Sequence, residues 1–423
     1  MAGKASLEGK LKKNAKLFVA LYGDQGLDEA RARCTTLAAP LLGEDGGQDL
    51  RFYSAPGRTE IAGNHTDHNR GRVLCAALRL DVLACVRPRS DGLAKIVSKG
   101  FEGEIVVDLA VHGPLPAETG TTTALIRGVA AILAGMGCRF SGFDARLDSR
   151  VAVGMGLSSS AAVEVLFATI MLDLADRQLD PLEIAAVAQR AENTWFGKPC
   201  GLMDQAASAS GGFVSIDFED IDKPKLRRVE IDEAASGYRL YAVSPGGDHA
   251  DLTSDYAAIP AEMRSVAAFL GSKELRSIDP RSLEDRGPEI RAALGDRALL
   301  RALHFVDENE RVRRMVKALE SDKFGKFLDL VAKSGDSSWR LLQNVSTGRE
   351  PASQSLALAI ALSQRWLGKD GVARVHGGGF AGTMQAWVKG KRASAFRRYM
   401  EDWFGEGSVV ELEIRSPGAC RIL

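Results

Sequence analysis

The sequence lacks an apolar run long enough to cross a membrane, and its first thirty residues lack the apolar core of a secretion signal. Its 55 acidic and 55 basic residues balance, so no excess of positive charge indicates nucleic acid or an anionic membrane. Its six cysteines are scattered without a C-x-x-C pair, which disfavours a disulfide framework or a zinc site. We therefore expect a cytoplasmic protein with no nucleic-acid and no membrane partner.

Two common signatures of nucleotide enzymes are also absent. The chain contains no G-x-x-x-x-G-K-[ST] sequence, which disfavours a Walker-type NTPase. It contains no H-R-D or D-F-G sequence, which disfavours a protein kinase. Any nucleotide phosphate must therefore be held by a loop of a different kind.

The most informative segment that is present is residues 151–164, where glycines meet three serines and an apolar, helix-forming stretch follows. Gly154 and Gly156 allow the backbone to come close to a ligand. The start of a helix has unpaired N–H groups and the positive end of the helix dipole, so it attracts anions. One serine would be enough to cap this helix. Three in succession favour a phosphate-binding loop.

The patterning predicts both helices and strands. Residues 1–45 are predicted to be helical, with a polar loop at 43–48, and apolar alternation predicts strands within 50–112. Residues 161–175 predict a helix so apolar that it should be buried. Residues 255–345 are predicted to be mostly helical.

At 423 residues the chain is too long for one ordinary core, so two domains are expected. The polar, charged stretch 219–232 favours a boundary there, which gives an N-terminal domain over residues 1–220 and a C-terminal domain over residues 221–423. The mixture of helices and antiparallel strands predicts an α+β fold in two lobes.

Residues 55–71 concentrate Arg, His, Asp and Asn side chains between glycines. A loop that fixes many polar groups tends to carry function. His65 and His68, on either side of Asp67, could bind a metal, although no further ligand cluster accompanies them. The alternative is a polyol pocket, because these side chains offer both donors and acceptors to sugar hydroxyls.

Three further features bear on chemistry. Asp204 has apolar neighbours in the sequence. A carboxylate in such surroundings is expected to have a binding partner or a catalytic role, although it could also cap a helix. Glu192, at the end of the preceding helix, is either a surface carboxylate or a ligand for Mg²⁺. The glycines of 377–382 form either a hairpin turn or a wall close to a ligand. Together with the serine loop, these residues suggest phosphoryl transfer from a nucleotide to a hydroxyl.

Four segments, in this order, resemble the GHMP kinases, and within them the galactokinases. The signature G-R-x-N-L-I-G-E-H-T-D-Y-N-x-G corresponds to residues 57–71. The sequences G-L-S-S-S-A and C-G-x-M-D-Q are unchanged at 156–161 and 200–205, and the glycine motif G-A-G-F-G-G corresponds to 377–382. The resemblance runs from about residue 50 to the C-terminus. It implies the two-lobed GHMP kinase fold, with the active site in the cleft between the lobes.

The resemblance also implies an activity: phosphorylation of the C1 hydroxyl of D-galactose, with ATP and Mg²⁺. Asp204 would be the catalytic carboxylate, with Arg58 beside it. The residues implied to bind the nucleotide are Gly154, Gly156, Leu157, Ser158, Ser159, Ser160 and Ala161. The residues implied to bind the sugar are Asn64, His65, Asp67, Gly201 and Tyr256. Glu192 with Ser160 (or Ser159) would hold Mg²⁺. The sugar and ATP are the expected partners of a monomer or weak homo-oligomer.

The sequence departs from the family mostly on the sugar side. The Glu before His-Thr-Asp is Asn64 here, and the Tyr after it is His68. In galactokinases that Glu contacts the hydroxyl at C6. Because Asn carries no charge, a sugar modified at C6, such as galacturonate, is an alternative substrate. A second alternative is a catalytically silent sensor of sugar and ATP, which the intact serine loop and Asp204 disfavour.

Overall fold

The computed structural model describes residues 2–43, 49–152, 154–231, 236–247, 252–349, 351–380 and 382–423. The polar loop predicted at residues 43–48 lies outside these ranges except for its first residue, as do residues 153, 232 and 381 of the quoted segments. Within the described ranges, no helix combines the length and the apolar character that crossing a membrane requires.

The strands, in chain order, are β1 (Arg51–Ala62), β2 (Arg72–Arg89), β3 (Leu93–Ser98), β4 (Ile105–Asp108), β5 (Gly142–Ser149), β6 (Phe213–Asp217), β7 (Lys225–Val229), β8 (Tyr238–Val243), β9 (Gly371–His376), β10 (Thr383–Lys389), β11 (Val409–Leu412) and β12 (Cys420–Arg421).

The α-helices are α1 (Ala2–Lys13), α2 (Ala15–Tyr22), α3 (Leu27–Ala38), α4 (Thr122–Gly135), α5 (Ser159–Leu174), α6 (Pro181–Ala191), α7 (Met203–Ser210), α8 (Thr253–Phe269), α9 (Ser282–Asp285), α10 (Gly287–Leu294), α11 (Asp296–Leu319), α12 (Phe324–Ser337), α13 (Ser355–Leu367) and α14 (Ala393–Phe404). Short π-helical turns follow α6 and α12.

The first sheet has the strand order β12-β1-β2-β5-β3-β4, with β6 and β7 added beside β2. Its strands are antiparallel apart from the β3–β5 pair. Helices α4 to α7 pack against one another, and α5 packs on β1. The buried helix predicted over residues 161–175 is α5, and its Leu166, Phe167 and Ile170 are fully buried, which confirms that prediction.

The structure corrects the prediction of a loop over residues 55–71, because residues 55–62 form the end of β1. This strand is buried on both faces, so its sequence lacks the apolar–polar alternation of a half-exposed strand. Its pairing with β2 shifts register between Pro56 and Arg58, and again between Glu60 and Ala62. Such irregularities turn side chains away from the regular alternation of a strand.

The second sheet has the strand order β11-β8-β10-β9. Side chains of β10 alternate between its two faces. Ala386 and Val388 pack in a core with residues of α13 and α14, whereas Trp387 contacts Phe324 and Phe327 of α12. The second lobe is therefore a sheet between two layers of helices.

These two lobes confirm the α+β expectation. The domain limits 1–220 and 221–423 stay a prediction, since sheet membership does not divide the chain at residue 220. Strands β7 and β12 both follow that point and both pair within the first sheet.

Candidate active site

The serine-rich loop leads directly into helix α5. Gly154 and Gly156 have φ angles of +82° and +67°, which glycine adopts freely. Ser158 has a φ of +56°, a conformation uncommon for a residue with a side chain, and α5 begins at the next residue. The first N–H groups of a helix have no partner inside the helix, so the start of α5 offers donors to an anion.

The loop is held between β1 and the β9–β10 hairpin. The side chains of Leu157 and Ala161 are buried, so these two residues can offer only their backbone. The carbonyl of Leu157 accepts the N–H of Arg58 at 3.1 Å. A Cβ on Gly156 would lie 3.2 Å from Thr383 Oγ1 and 3.3 Å from His376 Nδ1, so the hairpin packs closely on this glycine.

Asp204 is the second residue of α7, and its carboxylate faces Arg58 of β1. Arg58 Nε donates to Oδ1 and Nη2 to Oδ2, both at 2.7 Å, which makes a bidentate ion pair. The hydroxyl of Ser158 also donates to Oδ2. Burial would raise the pKa of Asp204, but the charge of Arg58 and these hydrogen bonds hold it below its usual range. Asp204 is thus an ionised carboxylate at the phosphate loop; the cap position of α7 is held by Leu202.

Glu192 lies beside the start of α5 and is buried. Ser160 Oγ donates to its Oε1 at 3.3 Å, and Lys198 Nζ lies 3.5 Å from the same oxygen. Gln205 Nε2 donates to Glu192 Oε2 at 2.8 Å and to Glu164 Oε2 at 3.1 Å. Burial, together with the charge of Glu192, raises the pKa of Glu164 to about 9. The carboxyl of Glu164 therefore favours its neutral form, and Glu192 presents Oε1 to Ser160 while Gln205 holds Oε2.

Lys198 is a site residue that the sequence analysis missed. Gly197, with a φ of +83°, ends the π-helical turn, and the N–H of Lys198 donates to the carbonyl of Glu192 at 3.2 Å. This turn keeps the ammonium group near Glu192, although 63% of the side chain is exposed. The signal available in the sequence was a cation two residues before the C-G-x-M-D-Q motif.

A cavity of about 300 Å³ joins these features. The predicted residues that line it are Arg58, Gly154, Gly156, Leu157, Ser158, Ser159, Ser160, Asp204 and Tyr256. Ala152, Lys198, His376, Thr383 and glycines of the β9–β10 hairpin complete the lining. A larger cavity of about 650 Å³ lies between β7, β8 and β11. None of the predicted residues line it, so it is not the candidate active site.

Asn64 is 1% exposed and, like every predicted sugar ligand except Tyr256, does not line this cavity. Its amide nitrogen donates to Glu60 Oε1 at 2.9 Å and to the carbonyl of Gly377 at 2.6 Å. Its Oδ1 accepts from Asn344 Nδ2 at 2.6 Å and from Ser338 Oγ at 3.4 Å. An amide has two donors and an acceptor with two lone pairs, so all four positions are used inside the protein.

His65 and Tyr256 also bind the glycine hairpin. His65 Nε2 lies 3.0 Å from the carbonyl of Gly378. Burial lowers the pKa of His65 to about 4, so the ring is neutral and Nε2 carries the proton that it donates. The Tyr256 hydroxyl donates to the carbonyl of Gly379 at 3.0 Å. A Cβ on Gly378 would lie 2.5 Å from the Tyr256 ring, so this contact requires glycine.

Asp67 and Gly201 lie against each other beside this loop. A Cβ on Gly201 would overlap Asp67 Oδ2. Asp67 Oδ1 accepts the N–H of His68 at 3.0 Å. Among the described residues, no group of three or more His, Cys, Asp or Glu could hold a metal, so the metal alternative for His65, Asp67 and His68 has no support.

His376 is a second residue that the sequence analysis did not assign. The N–H of Glu60 donates to its Nε2 at 3.2 Å, so Nδ1 carries the proton and donates to Thr383 Oγ1 at 2.9 Å. Thr383 in turn donates to the carbonyl of Met155 at 3.2 Å. Burial and the nearby arginines lower the pKa of His376 to about 3. This neutral imidazole links β1, the hairpin and the phosphate loop.

Two sequence families match the chain. The family described as GHMP kinases N terminal domain matches residues 124–212, and the galactokinase galactose-binding signature matches residues 43–88. A galactokinase of Streptomyces coelicolor is 33% identical over 387 residues, which cover 89% of this chain and 96% of that relative. A galactokinase of Actinobacillus pleuropneumoniae is 30% identical over 367 residues, covering 86% and 92%.

Solved structures show the same fold. The structure of Lactococcus lactis galactokinase complexed with galactose matches 92% of this chain and 98% of its own, with a TM-score of 0.77 and 24% identity. Methanococcus jannaschii mevalonate kinase matches 86% of this chain and 98% of its own, with a TM-score of 0.60 and 14% identity. These similarities confirm the two-lobed GHMP kinase fold and the resemblance on which the sequence analysis relied. The chain belongs to the galactokinase family of the GHMP kinases.

Proposed function

We propose that the protein transfers the γ-phosphoryl group of ATP to the C1 hydroxyl of D-galactose. The observation that carries this proposal is the Arg58–Asp204 ion pair, which faces Ser158 of the phosphate loop inside one cavity. The names of the relatives support galactose as the sugar. The solved relative that is complexed with galactose shares the fold.

Asp204 would receive or orient the proton of the attacking hydroxyl. It is ionised, and Arg58 holds both of its oxygens in a fixed orientation. The Ser158 hydroxyl already donates to Oδ2, which indicates where a hydroxyl group can approach this carboxylate. A general base needs such hydrogen-bond reach as well as an ionised state.

The donor would be bound by the start of α5 and by Lys198. Phosphoryl transfer depends mainly on positioning and charge neutralisation. The charge of Arg58 is already paired with Asp204, whereas the ammonium group of Lys198 is largely exposed in the same cavity. Its partner is Glu192, 3.5 Å away, so Lys198 can turn from that carboxylate towards phosphate oxygens when a cation takes its place.

The residues fit a Mg²⁺ ion that arrives with the nucleotide. Glu192 Oε1 and Ser160 Oγ are hard oxygen donors within 3.3 Å of each other. Mg²⁺ commonly takes only one or two protein ligands and completes its shell with phosphates and water. When bound there, the ion would supply positive charge that neutralises the phosphates. Gln205 would keep Glu192 in place through Oε2.

Asp67, Gly201 and Tyr256 would face the sugar. The galacturonate alternative depended on a free Asn64 amide, and the protein partners of this amide count against it. We further propose that the sugar and ATP are the partners of a monomer or weak homo-oligomer in the cytoplasm. All six cysteines are free thiols, which suits a reducing compartment.

A panel of free sugars tests the proposed reaction. The purified protein is supplied with Mg²⁺ and ATP, and ADP release is measured with galactose, galacturonate, glucose or no sugar. We expect galactose to give the fastest turnover, and the product to carry its phosphate at C1 by NMR. Rapid turnover of galacturonate with none of galactose would overturn the choice of sugar.

A further inference from the structure

Residues 60 and 64 carry an exchanged pair of side chains. The galactokinase signature quoted above has Asn at the position of residue 60 and Glu at that of residue 64, whereas this chain has Glu60 and Asn64. The two side chains touch, with Asn64 Nδ2 donating to Glu60 Oε1 at 2.9 Å. Compared with the family signature, the carboxylate of this chain stands four residues earlier, and it contacts the amide that replaces it.

The surroundings explain why each group suits its new position. Glu60 is 5% exposed, and its Oε1 lies 3.4 Å from Nη2 of the buried Arg374. Asn64 must donate to the carbonyl of Gly377 while it accepts from Asn344. A carboxylate accepts hydrogen bonds and cannot donate them, so only the amide can serve at position 64.

These contacts determine the orientation of the glycine hairpin. The carbonyl of Gly377 is bound by Asn64, and the carbonyl of Gly378 is bound by His65 and by Asn344 Nδ2 at 3.0 Å. The described peptide bonds are all trans, so the N–H that follows each carbonyl points the opposite way. Within the described ranges, neither the N–H of Gly378 nor that of Gly379 donates a hydrogen bond to a backbone carbonyl.

The φ angles of the hairpin backbone change sign from one glycine to the next. Positive φ angles at Gly377 (+65°) and Gly379 (+87°) flank Gly378, whose φ lies outside that region. Successive N–H groups in such alternating conformations form concave sites for anions. These glycines line the cavity that also contains Arg58, Ser158 and Asp204.

We propose that Asn64, braced by Glu60, is a positioning residue that holds the Gly377–Gly379 loop with its N–H groups towards the transferred phosphoryl group, and that Asn64 makes no contact with the sugar. This inference rests on the proposed phosphoryl transfer. It assigns Asn64 to the phosphoryl side of the reaction.

Asn64→Asp is the main test, because it keeps the shape of the side chain and removes both donors. We expect kcat to fall about 10- to 100-fold, as for the loss of a transition-state contact, with little change in KM for galactose. The loss should be equal for galactose and for 6-deoxygalactose, which lacks the C6 hydroxyl. A loss confined to galactose would overturn the proposal.

The variant Glu60→Gln with Asn64→Asp separates positioning from stability. It restores one carboxylate and one amide, so its Tm should recover from that of Asn64→Asp. It still has no donor for the carbonyl of Gly377, so kcat should stay low. Recovery of both Tm and kcat would show that only charge balance matters, and would overturn the positioning role.

Hydrogen–deuterium exchange provides a test that does not depend on the sugar. In Asn64→Asp, the peptide that carries Gly377–Gly379 should exchange faster, while peptides from α4 should be unchanged. Unchanged exchange in the glycine peptide would overturn the proposal. If the wild type failed to phosphorylate galactose, the proposed function would fail, and this measurement would still decide whether Asn64 holds the loop.

Discussion

The cleft has two halves. The donor half comprises the serine loop and residues 192–205, and the signature half contains Glu60 and Asn64. They use polar side chains in opposite ways. On the donor half, Asp204 is 30% and Lys198 is 63% exposed, so each keeps an open approach to a ligand. On the signature half, Asn64 and Glu60 are almost wholly buried and bind other protein groups. A motif thus indicates where a residue lies, whereas its unused hydrogen-bonding capacity indicates whether it can bind a substrate.

The largest effect should come from Asp204, the partly exposed carboxylate of the donor half. We expect Asp204→Asn to lower kcat by about 10³-fold or more, because the amide cannot take a proton and no longer pairs with the charge of Arg58. ATP affinity, measured by calorimetry, should change little, since the start of α5 is intact. The exposed Asp222→Asn is the control. If Asp204→Asn kept most of the activity, the assignment of catalysis to the donor half would be wrong.

Lys198 allows a test with a closely matched control. Lys198 and Lys99 have side-chain exposures of 63% and 67%, and each lies within 4.0 Å of one carboxylate. We expect Lys198→Met to lower kcat/KM for ATP about 10- to 100-fold through lost charge neutralisation, and Lys198→Arg to recover part of it. Lys99→Met should behave as the wild type in the same steady-state assay. Equal behaviour of the two Met variants would mean that Lys198 is only a solvated surface residue.

The sequence predicted the donor half well for a physical reason. Its groups come from short continuous segments: the serine loop, residues 192–198, and residues 200–205. Local turns bring the functional atoms of each segment into one place. Lys198 was missed because a lone lysine next to a glycine has the same local pattern as a surface residue.

The signature half could not be predicted in the same way. The partners of Asn64 include Gly377 and Asn344, which lie 313 and 280 residues away along the chain. No local pattern reveals such contacts. The end of β1 was also missed, because burial on both faces removes the alternation by which strands are recognised. Strand β7 lies within the predicted boundary 219–232 because its largely charged sequence is typical of a loop.

Gly201 tests where the sugar side of the cleft begins. The Cβ of Gly201→Ala would overlap Asp67 Oδ2 and displace that carboxylate. We expect KM for galactose to rise about 10-fold with a smaller change in kcat, as for the loss of a ground-state contact. Gly325→Ala is the control, because a Cβ there meets nothing within 4 Å. If KM changed for ATP and not for galactose, Asp67 would be assigned to nucleotide binding and not to the sugar.

The smallest effect concerns the buried carboxylate of the signature half. Burial raises the pKa of Glu60 to about 7, although Arg374 and Arg58 oppose this and Asp67 adds to it. The folded state therefore prefers the protonated form. The stability that this proton provides is complete below the unfolded pKa of about 4.5 and is lost as the pH rises to about 7.

Glu60→Gln removes this titration while keeping an acceptor for Asn64. The stability of the variant relative to the wild type should therefore increase between pH 5 and pH 8, by at most about 3 kcal/mol. Denaturant unfolding at both pH values measures the difference, with the exposed Glu102→Gln as a control. Parallel pH dependences for Glu60→Gln and the wild type would mean that Glu60 stays ionised and that Arg374 outweighs its burial. Glu60 and Arg374 would then form a full ion pair. The signature half would thus contain a charged pair like Arg58–Asp204, although its side chains are more deeply buried.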